Sequence, residues 1–413
     1  MAAGRNGLIA ALDIGTTKVC CFIARVENGM PRVVGIGLQA SRGMRSGAVV
    51  DMEATEGTIR AAVDIAEKMC GETIREVFVS LAAGQPQSHL SRIEIPVSGH
   101  EIGQADIDRV LAEGRRHHHP AERDVIHSIP TGYAIDGSTG IRDPRGMWCE
   151  RLGVNMHVVT AASGPVRNLA TCVGRAHLGL AGLVISPFAA GLACLVEDEM
   201  ELGVTLIEMG GGTTSISVFY DGQLVHTDSL PLGGAHITAD IARGLSTPMA
   251  HAERLKTFYG SGIGSHADDN ETIEVPQVGE GEDAQALHVP RSHLVGIIKP
   301  RVEETLELVR DRVGATGFDK IAGRRVVLTG GASQLQGMRE QAARILDKQV
   351  RLGRPIRVAG LAETTGGPAF STCAGLLSYA LQDRVEVESA VPEPETTGAG
   401  PFTRVFRWLT ASG

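Results

Sequence analysis

Aromatic side chains are scarce in this 413-residue sequence: nine Phe, four Tyr and two Trp make up 4% of it. Its core must be built mainly from aliphatic residues, Ala and Gly. Three of the few rings, Phe402, Phe406 and Trp408, stand within the last dozen residues, where a chain ordinarily needs no core. Basic charge is also in deficit, with 39 Lys and Arg against 48 Asp and Glu and a formal net charge of −9. Bulk binding to nucleic acid loses its electrostatic drive, and no nucleic-acid partner is expected. The seven cysteines include no C-x-x-C pair, so neither a disulfide framework nor a zinc ribbon is indicated, and a reducing cytosol fits. Long apolar runs are missing too, since no segment reaches the roughly 18–20 residues that a spanning helix needs. The opening MAAGRNGLIAALD has no cleavable leader pattern. The expectation is a cytoplasmic protein that does not cross a bilayer.

What the sequence does contain is a repeat. The segment 8–13 reads as a buried strand, Gly15-Thr16-Thr17 as a tight turn, 19–26 as a second strand, and Asn28-Gly29 as a hairpin into a third. About 200 residues later the order returns: strand 203–208, turn Gly210-Gly211-Gly212-Thr213-Thr214, strand 215–220, then Asp221-Gly222 into another strand. Such a repeat implies a duplicated architecture of two α/β lobes. Residues 1–84 and 161–200 are assigned to the first lobe, and 85–160 to a small α+β subdomain inserted in it. Residues 201–245 and 325–381 form the second lobe's core, with 246–324 as its peripheral part. Helices are expected over 55–70, 104–116, 163–176, 235–244, 248–259, 293–313 (with Pro300 as a kink) and 370–381. His117-His118-His119 reads as a solvated helix end, because adjacent residues on a helix diverge.

Three Gly-rich turns close strands: Asp13–Lys18, Gly210–Thr214, and Gly330-Gly331-Ala332-Ser333. Glycine lets backbone N–H groups approach a phosphate chain closely, and Thr and Ser add hydroxyl donors. Two facing copies and a third at a later strand end describe a nucleotide clamped between lobes, with Lys18 a candidate phosphate contact.

These residues resemble the actin-like ATPase superfamily, a two-lobed, ribonuclease-H-like duplicated fold. Asp13–Lys18 matches its first phosphate motif, Glu208–Thr214 its second, and Thr329–Gly337 its adenosine motif. The helix segment around Glu253 and Lys256 is similar to the adenosine-contacting Glu-x-x-Lys helix of the heat-shock chaperone ATPases, and Gly233-Gly234 to the turn before it. Within the superfamily the chain resembles the FtsA family of bacterial cell-division proteins. The stretches Ile126–Met147 and Pro231–Gly260 and the amphipathic end carry that likeness over essentially the whole length.

The resemblance implies ATP and Mg2+ as ligands, with Asp13 holding the metal through water and Asp13 and Glu208 as the catalytic carboxylates. It also implies polymerisation with other copies, tethering of the tubulin-like protein FtsZ, and recruitment of other division proteins at the septum. The inserted subdomain would serve self-association and partner contacts. Departures stand beside it. Glu208 replaces the usual Asp, Ser215 stands where the chaperones place another Asp, and Ser186 precedes Pro187 where they place Glu. Slow hydrolysis is therefore expected, the nucleotide acting as a structural ligand. A sugar or polyol kinase, or another actin-fold ATPase enzyme, is the rival; a kinase would need a catalytic Asp facing the substrate cleft, and none can be placed.

The tail is the second informative feature. Residues 382–400 are acidic and rich in Pro, Thr and Gly, and read as a solvated linker. Beyond it, over 401–413, a helix would put Phe402, Val405, Phe406 and Leu409 on one stripe with Trp408 at its edge, while Arg404 and Arg407 point away. That pattern suits an interfacial anchor on lipids at the inner face of the cytoplasmic membrane. One such short helix binds weakly, and polymerisation would multiply it.

Overall fold

The computed structural model describes residues 7–116, 122–279 and 287–382. The histidines 117–119, the linker beyond Gln382 and the expected tail helix lie outside the described residues.

The first lobe opens with an antiparallel meander of β1 (Leu8–Ile14), β2 (Lys18–Glu27) and β3 (Met30–Ala40). Asn28 and Gly29 both take positive φ, 51° and 76°, the conformation that a two-residue hairpin turn requires. After a small hairpin, β4 (Met44–Arg45) and β5 (Ala48–Val49), helix α1 (Met52–Cys70) starts where the Asp51 side chain accepts from the Ala54 N–H. The helix lies hard against β3. A Cβ on Gly37 would fall 1.7 Å from the Ala62 carbonyl oxygen, so only glycine permits this approach. Strand β6 (Glu76–Leu81) then runs parallel to β1.

The inserted subdomain follows as β7 (Gln87–Glu101), α2 (Gln104–Arg116), β8 (Arg123–Ile135), β9 (Ser138–Ile141) and β10 (Trp148–Ala162). Its sheet has the order β7-β10-β8-β9, and its own core gathers Ile93, Val110, Leu111, Leu152, Val154 and Met156. Strand β8 runs through Pro130 as one element, with register shifts against β10 between Pro130 and Gly132 and between Val125 and His127. The chain returns through α3 (Ser163–Arg175) to β11 (Gly179–Ile185), completing the sheet β11-β6-β1-β2-β3.

After α4 (Ser186–Cys194) and α5 (Glu197–Leu202), the second lobe repeats the plan. Strands β12 (Val204–Met209), β13 (Thr214–Tyr220) and β14 (Gln223–Leu230) form the meander, with Asp221 and Gly222 again at positive φ. Helices α6 (Gly234–Gly244) and α7 (Met249–Tyr259) and the hairpin β15 (Thr272–Val275) and β16 (Leu287–Pro290) form the periphery. Helix α8 (Arg291–Ala315) is one element with Pro300 inside it. Strand β17 (Arg325–Thr329), α9 (Met338–Leu346) and β18 (Gln349–Leu352) complete a sheet ordered β14-β13-β12-β17-β18. Both sheets have two antiparallel pairings followed by two parallel ones.

The last helix, α10 (Ser371–Leu381), crosses α4 between the lobes. Gly375 is the crossing point, where a Cβ would stand 1.7 Å from the Ala189 carbonyl oxygen. The scarce rings collect here. Phe188 lies 6.1 Å from Phe219 and 6.0 Å from Tyr379, and Phe78 lies 6.1 Å from Tyr379. Apart from Phe22 and, in the insert, Tyr133, the rest of the core among the described residues is aliphatic.

Behind this crossing the chain after β18 forms a strap. The Ile356 N–H bonds the Ala193 carbonyl at 3.0 Å, and Ala359 exchanges backbone hydrogen bonds with Val33 and Pro31 along the outer edge of β3. A segment of the second lobe thereby covers the open edge of the first lobe's sheet.

Candidate nucleotide-binding cleft

The duplicated turns are built alike. The Gly15 N–H bonds the Lys18 carbonyl at 2.9 Å, and the Gly210 N–H bonds the Thr213 carbonyl at 2.8 Å. Asp13 stands opposite Cys20 in its strand pair, and Glu208 opposite Ser215 in the equivalent place. The loops face and touch. A Cβ on Gly211 would meet Thr17 Cγ2 at 2.5 Å, and one on Gly212 would meet Thr16 Oγ1 at 2.3 Å.

Beside this contact opens a cavity of about 460 Å³, the size of a small-molecule site. Of the residues expected to bind nucleotide, Thr17, Gly210, Gly211, Gly234, Glu253, Lys256, Gly331 and Ala332 line it. Gly233 seats α6 beneath the loop, for a Cβ there would approach the Gly210 carbonyl oxygen to 2.6 Å. The first N–H groups of α6 are spent on that loop, Gly234 on Gly210 at 2.9 Å and Ala235 on Gly211 at 2.7 Å. Lys256 Nζ donates to Glu253 Oε2 at 2.7 Å, to Thr238 Oγ1 at 2.8 Å and to the Gly234 carbonyl at 3.1 Å.

Other expected residues are engaged elsewhere. Gly15, Thr16, Gly212 and Thr213 shape the loops without lining the cavity, and Gly330, at φ 86°, abuts the Met209 backbone. Ser333 is buried and gives its hydroxyl to the Gly330 carbonyl at 2.7 Å, so no donor remains for a ligand. Thr214 gives its hydroxyl to the Leu232 carbonyl at 2.8 Å. The Lys18 ammonium donates to the Ala369 carbonyl and sits 3.7 Å above the Phe370 ring. It ties the first phosphate loop to the segment before α10. Gln336, inside the adenosine motif, lines the cavity, and so does Phe258, while Thr238 supports Glu253 and Lys256; no motif marks Phe258 or Thr238. Thr238 sits on α6 and Glu253 on the next helix, α7, and spacing between helices is not readable in one dimension.

Asp13 and Glu208 stand half-buried at the base of the cleft. Asp13 Oδ1 accepts from the Ser80 hydroxyl at 2.7 Å, and burial pushes its carboxyl above the usual range despite Lys18 and that hydrogen bond. Glu208 is pushed to about 7, chiefly by burial and further by Asp13. Its Oε1 accepts from the Thr372 hydroxyl of α10, while Oε2 has no partner. An orphaned buried carboxylate oxygen beside a second carboxylate fits a divalent cation that keeps most of its ligands as water and phosphate. No cluster of three or more His, Cys, Asp or Glu suited to a metal occurs among the described residues. A cation here would therefore depend on its waters and on the nucleotide.

Known proteins match this architecture throughout. A family model described as "Cell division protein FtsA" matches residues 205–375, and one described as "SHS2 domain inserted in FTSA" matches residues 83–160. The cell division protein FtsA of Agrobacterium fabrum is 45% identical over 426 residues, spanning 100% of this chain and 96% of that one. That of Escherichia coli K12 is 33% identical over 411 residues, with 97% of each chain covered. Among solved structures, a chain of the PilM-PilN type IV pilus biogenesis complex superposes with a TM-score of 0.64 at 18% identity, covering 91% of this chain and 98% of that one. MreB5 of Spiroplasma citri bound to ADP gives 0.51 at 13%, covering 90% and 95%. These establish the actin-like fold, and a kinase reading is not favoured. With relatives above 30% identity over nearly its entire length, the chain belongs to the FtsA family of cell division proteins.

Proposed function

We propose that this protein binds ATP with Mg2+ between its lobes, polymerises on the inner face of the cytoplasmic membrane at the division site, and there tethers FtsZ and other division proteins. The observation that carries the nucleotide reading is the facing pair of Gly-rich turns over two half-buried carboxylates, one with a buried oxygen that has no partner. A likeness of fold to MreB5 of Spiroplasma citri, which was solved bound to ADP, is in keeping with that reading.

Bound Mg2+ would supply positive charge for the phosphate oxygens. The chain's own groups do the rest. Loop N–H groups and the Thr17 hydroxyl cradle the phosphates, Glu253 and Lys256 present a polar pair to the nucleoside, and Asp13 and Glu208 orient water. Glu208 also grips Thr372 on α10, so its engagement bears on the helix crossing that joins the lobes. Holding a ligand across that junction favours one inter-lobe angle, and slow hydrolysis prolongs it. Among the described residues no helix is long and apolar enough to cross a membrane. Attachment is assigned instead to Phe402, Val405, Phe406, Trp408 and Leu409, with Arg404 and Arg407 toward lipid phosphates.

Liposome co-sedimentation tests these assignments together. The full chain and a chain ending near residue 395 are compared on anionic vesicles, each with and without ATP and Mg2+. Sedimentation of the full chain alone, strengthened by nucleotide, is the expected result. Equal sedimentation of both chains refutes the anchor, and indifference to ATP refutes the link between nucleotide and assembly.

A further inference from the structure

The inserted subdomain is rooted in one lobe and closed onto the other. Ile126, Ile129, Val159 and Ala161, from the bases of β8 and β10, belong to the first lobe's core, while a cluster of its own fills the insert. On its other side the insert meets β14, the edge strand of the second lobe's sheet. The contact is polar. Ser88 Oγ of β7 accepts the Thr227 N–H of β14 at 2.7 Å and lies 2.8 Å from His157 Nε2 of β10. Elsewhere Arg142 of the insert pairs with both Glu201 and Asp221 of the second lobe.

The His157 ring is wholly buried in this contact. Its Nδ1 has no hydrogen-bond partner, and the Leu224 backbone of β14 exerts only a minor attraction on it. The titratable groups that act on it are three more histidines, His89 of β7, His127 of β8 and His226 of β14. His127 is itself buried, and its Nε2 accepts the Ile185 N–H at 3.1 Å, so that nitrogen carries no proton. His226 stacks on Phe318 with ring centres 5.4 Å apart. The carboxylate beside it, Asp228, is already paired with Arg312 of α8 at 3.0 Å, as Glu201 and Asp221 are with Arg142. Among the described residues no carboxylate pairs with His157, so nothing in the closed contact balances a proton on it.

We propose that this contact is a proton-opened latch: His157 is neutral while the insert is closed on the second lobe and takes up a proton when the contact parts. Burial, with the neighbouring histidines, pushes the closed imidazole down to about 3, and burial lowers His226 as well. Once water reaches it, His157 returns to its ordinary value of about 6.5. Only the open form then binds the proton, so closure is fully favoured above that value and weakens as pH falls below it. The open form sets the window, which lies near neutrality although the closed imidazole titrates far lower. Between pH 7.5 and 5.5 the ratio of open to closed molecules should rise about tenfold through His157 alone. The latch stands independently of the nucleotide and membrane readings. It bears on the cleft all the same, because β14 leads through Pro231 into the Gly233-Gly234 turn.

The Thr227 amide reports the latch, since its hydrogen bond to Ser88 is lost on opening. Hydrogen exchange of the full chain, read by mass spectrometry on peptides containing Thr227, is compared at pH 7.5, 6.5 and 5.5 after correction for the intrinsic pH dependence of exchange. Protection there should fall about tenfold from pH 7.5 to 5.5, while that of β1 is unchanged. His157→Gln cannot take up the proton and should reduce the change to less than threefold. Arg142→Ala should lower protection at every pH and keep the tenfold change. Constant protection at Thr227 in the unaltered chain overturns the proposal. So does a parallel loss in β1, which would mean general acid unfolding. A change that survives His157→Gln but vanishes in Arg142→Ala overturns it in favour of the ion pairs. Far-UV circular dichroism shows whether His157→Gln is folded. If it is not, the assigned His157 imidazole resonance of the unaltered chain decides: a midpoint below pH 6 supports the latch, and one at 6.5 overturns it.

Discussion

Glu208 stands where the resemblance led one to expect Asp, and one of its carboxylate oxygens is buried without a partner. Its carboxyl is raised to about 7, so its contribution to stability is fully present below the unfolded value near 4.5 and lost as pH rises through 7. The difference of some 2.5 units corresponds to about 3 kcal/mol at alkaline pH. Glu208→Gln should accordingly stabilise the ligand-free protein by about 1–3 kcal/mol at pH 8 and by almost nothing at pH 5. It should also remove most of the Mg2+ dependence of ATP binding. Denaturant titrations at the two pH values and calorimetry with and without Mg2+ read both effects. Lys18 makes a contrasting case. Since its ammonium is held by Ala369 and Phe370, Lys18→Met should cost about 1–2 kcal/mol of stability and change ATP affinity less than threefold. A large loss of affinity at unchanged stability would return Lys18 to the phosphates. Sequence motifs named the residues of both loops, yet they could not say which side chains were already spent, because Ala369 lies 351 positions from Lys18.

Among elements, the pairing of α4 with α10 was the least legible. Periodicity found α10, but α4 is buried on every side and has no amphipathic stripe to read. Gly375 supplied no clue either, because a glycine in a helix reads as a weakness until the neighbouring Ala189 backbone is known. Gly375→Ala should destabilise the protein by about 3 kcal/mol or more, since backbone rather than a flexible side chain would have to yield. Gly296 in α8 has nothing within 4 Å of its absent Cβ, so Gly296→Ala should stabilise by about 0.5–1 kcal/mol. Chemical denaturation of the pair separates glycine required by contact from glycine merely tolerated. The meanders and hairpins, by contrast, were readable from Asn28-Gly29 and Asp221-Gly222, because the positive φ they need is a local property.

For the whole molecule, the duplicated lobes were visible in the repeated order of strand, turn and hairpin, while the angle and contact between them were not. Their contact is made by rings far apart in sequence, such as Phe78, Phe188 and Tyr379, which no local pattern connects. Nucleotide bound across that junction should stabilise the fold as a unit, by about 2.7 kcal/mol at a hundredfold excess over Kd. A single thermal transition shifted upward by ATP with Mg2+ is the expected outcome; two transitions, with only one shifted, would mean that the lobes unfold separately.

The strap over β3 bears on how the protein is made. Strand β3 leaves the ribosome early, but the residues that seal its edge, around Ala359, are more than three hundred positions behind it. At about 5–20 residues per second, synthesis leaves that edge uncovered for roughly 16–64 s. Helix α10, which fills the junction, arrives later still. Nascent chains of this protein should therefore depend on holding chaperones until their final quarter emerges, although each lobe's meander can form as soon as it is translated.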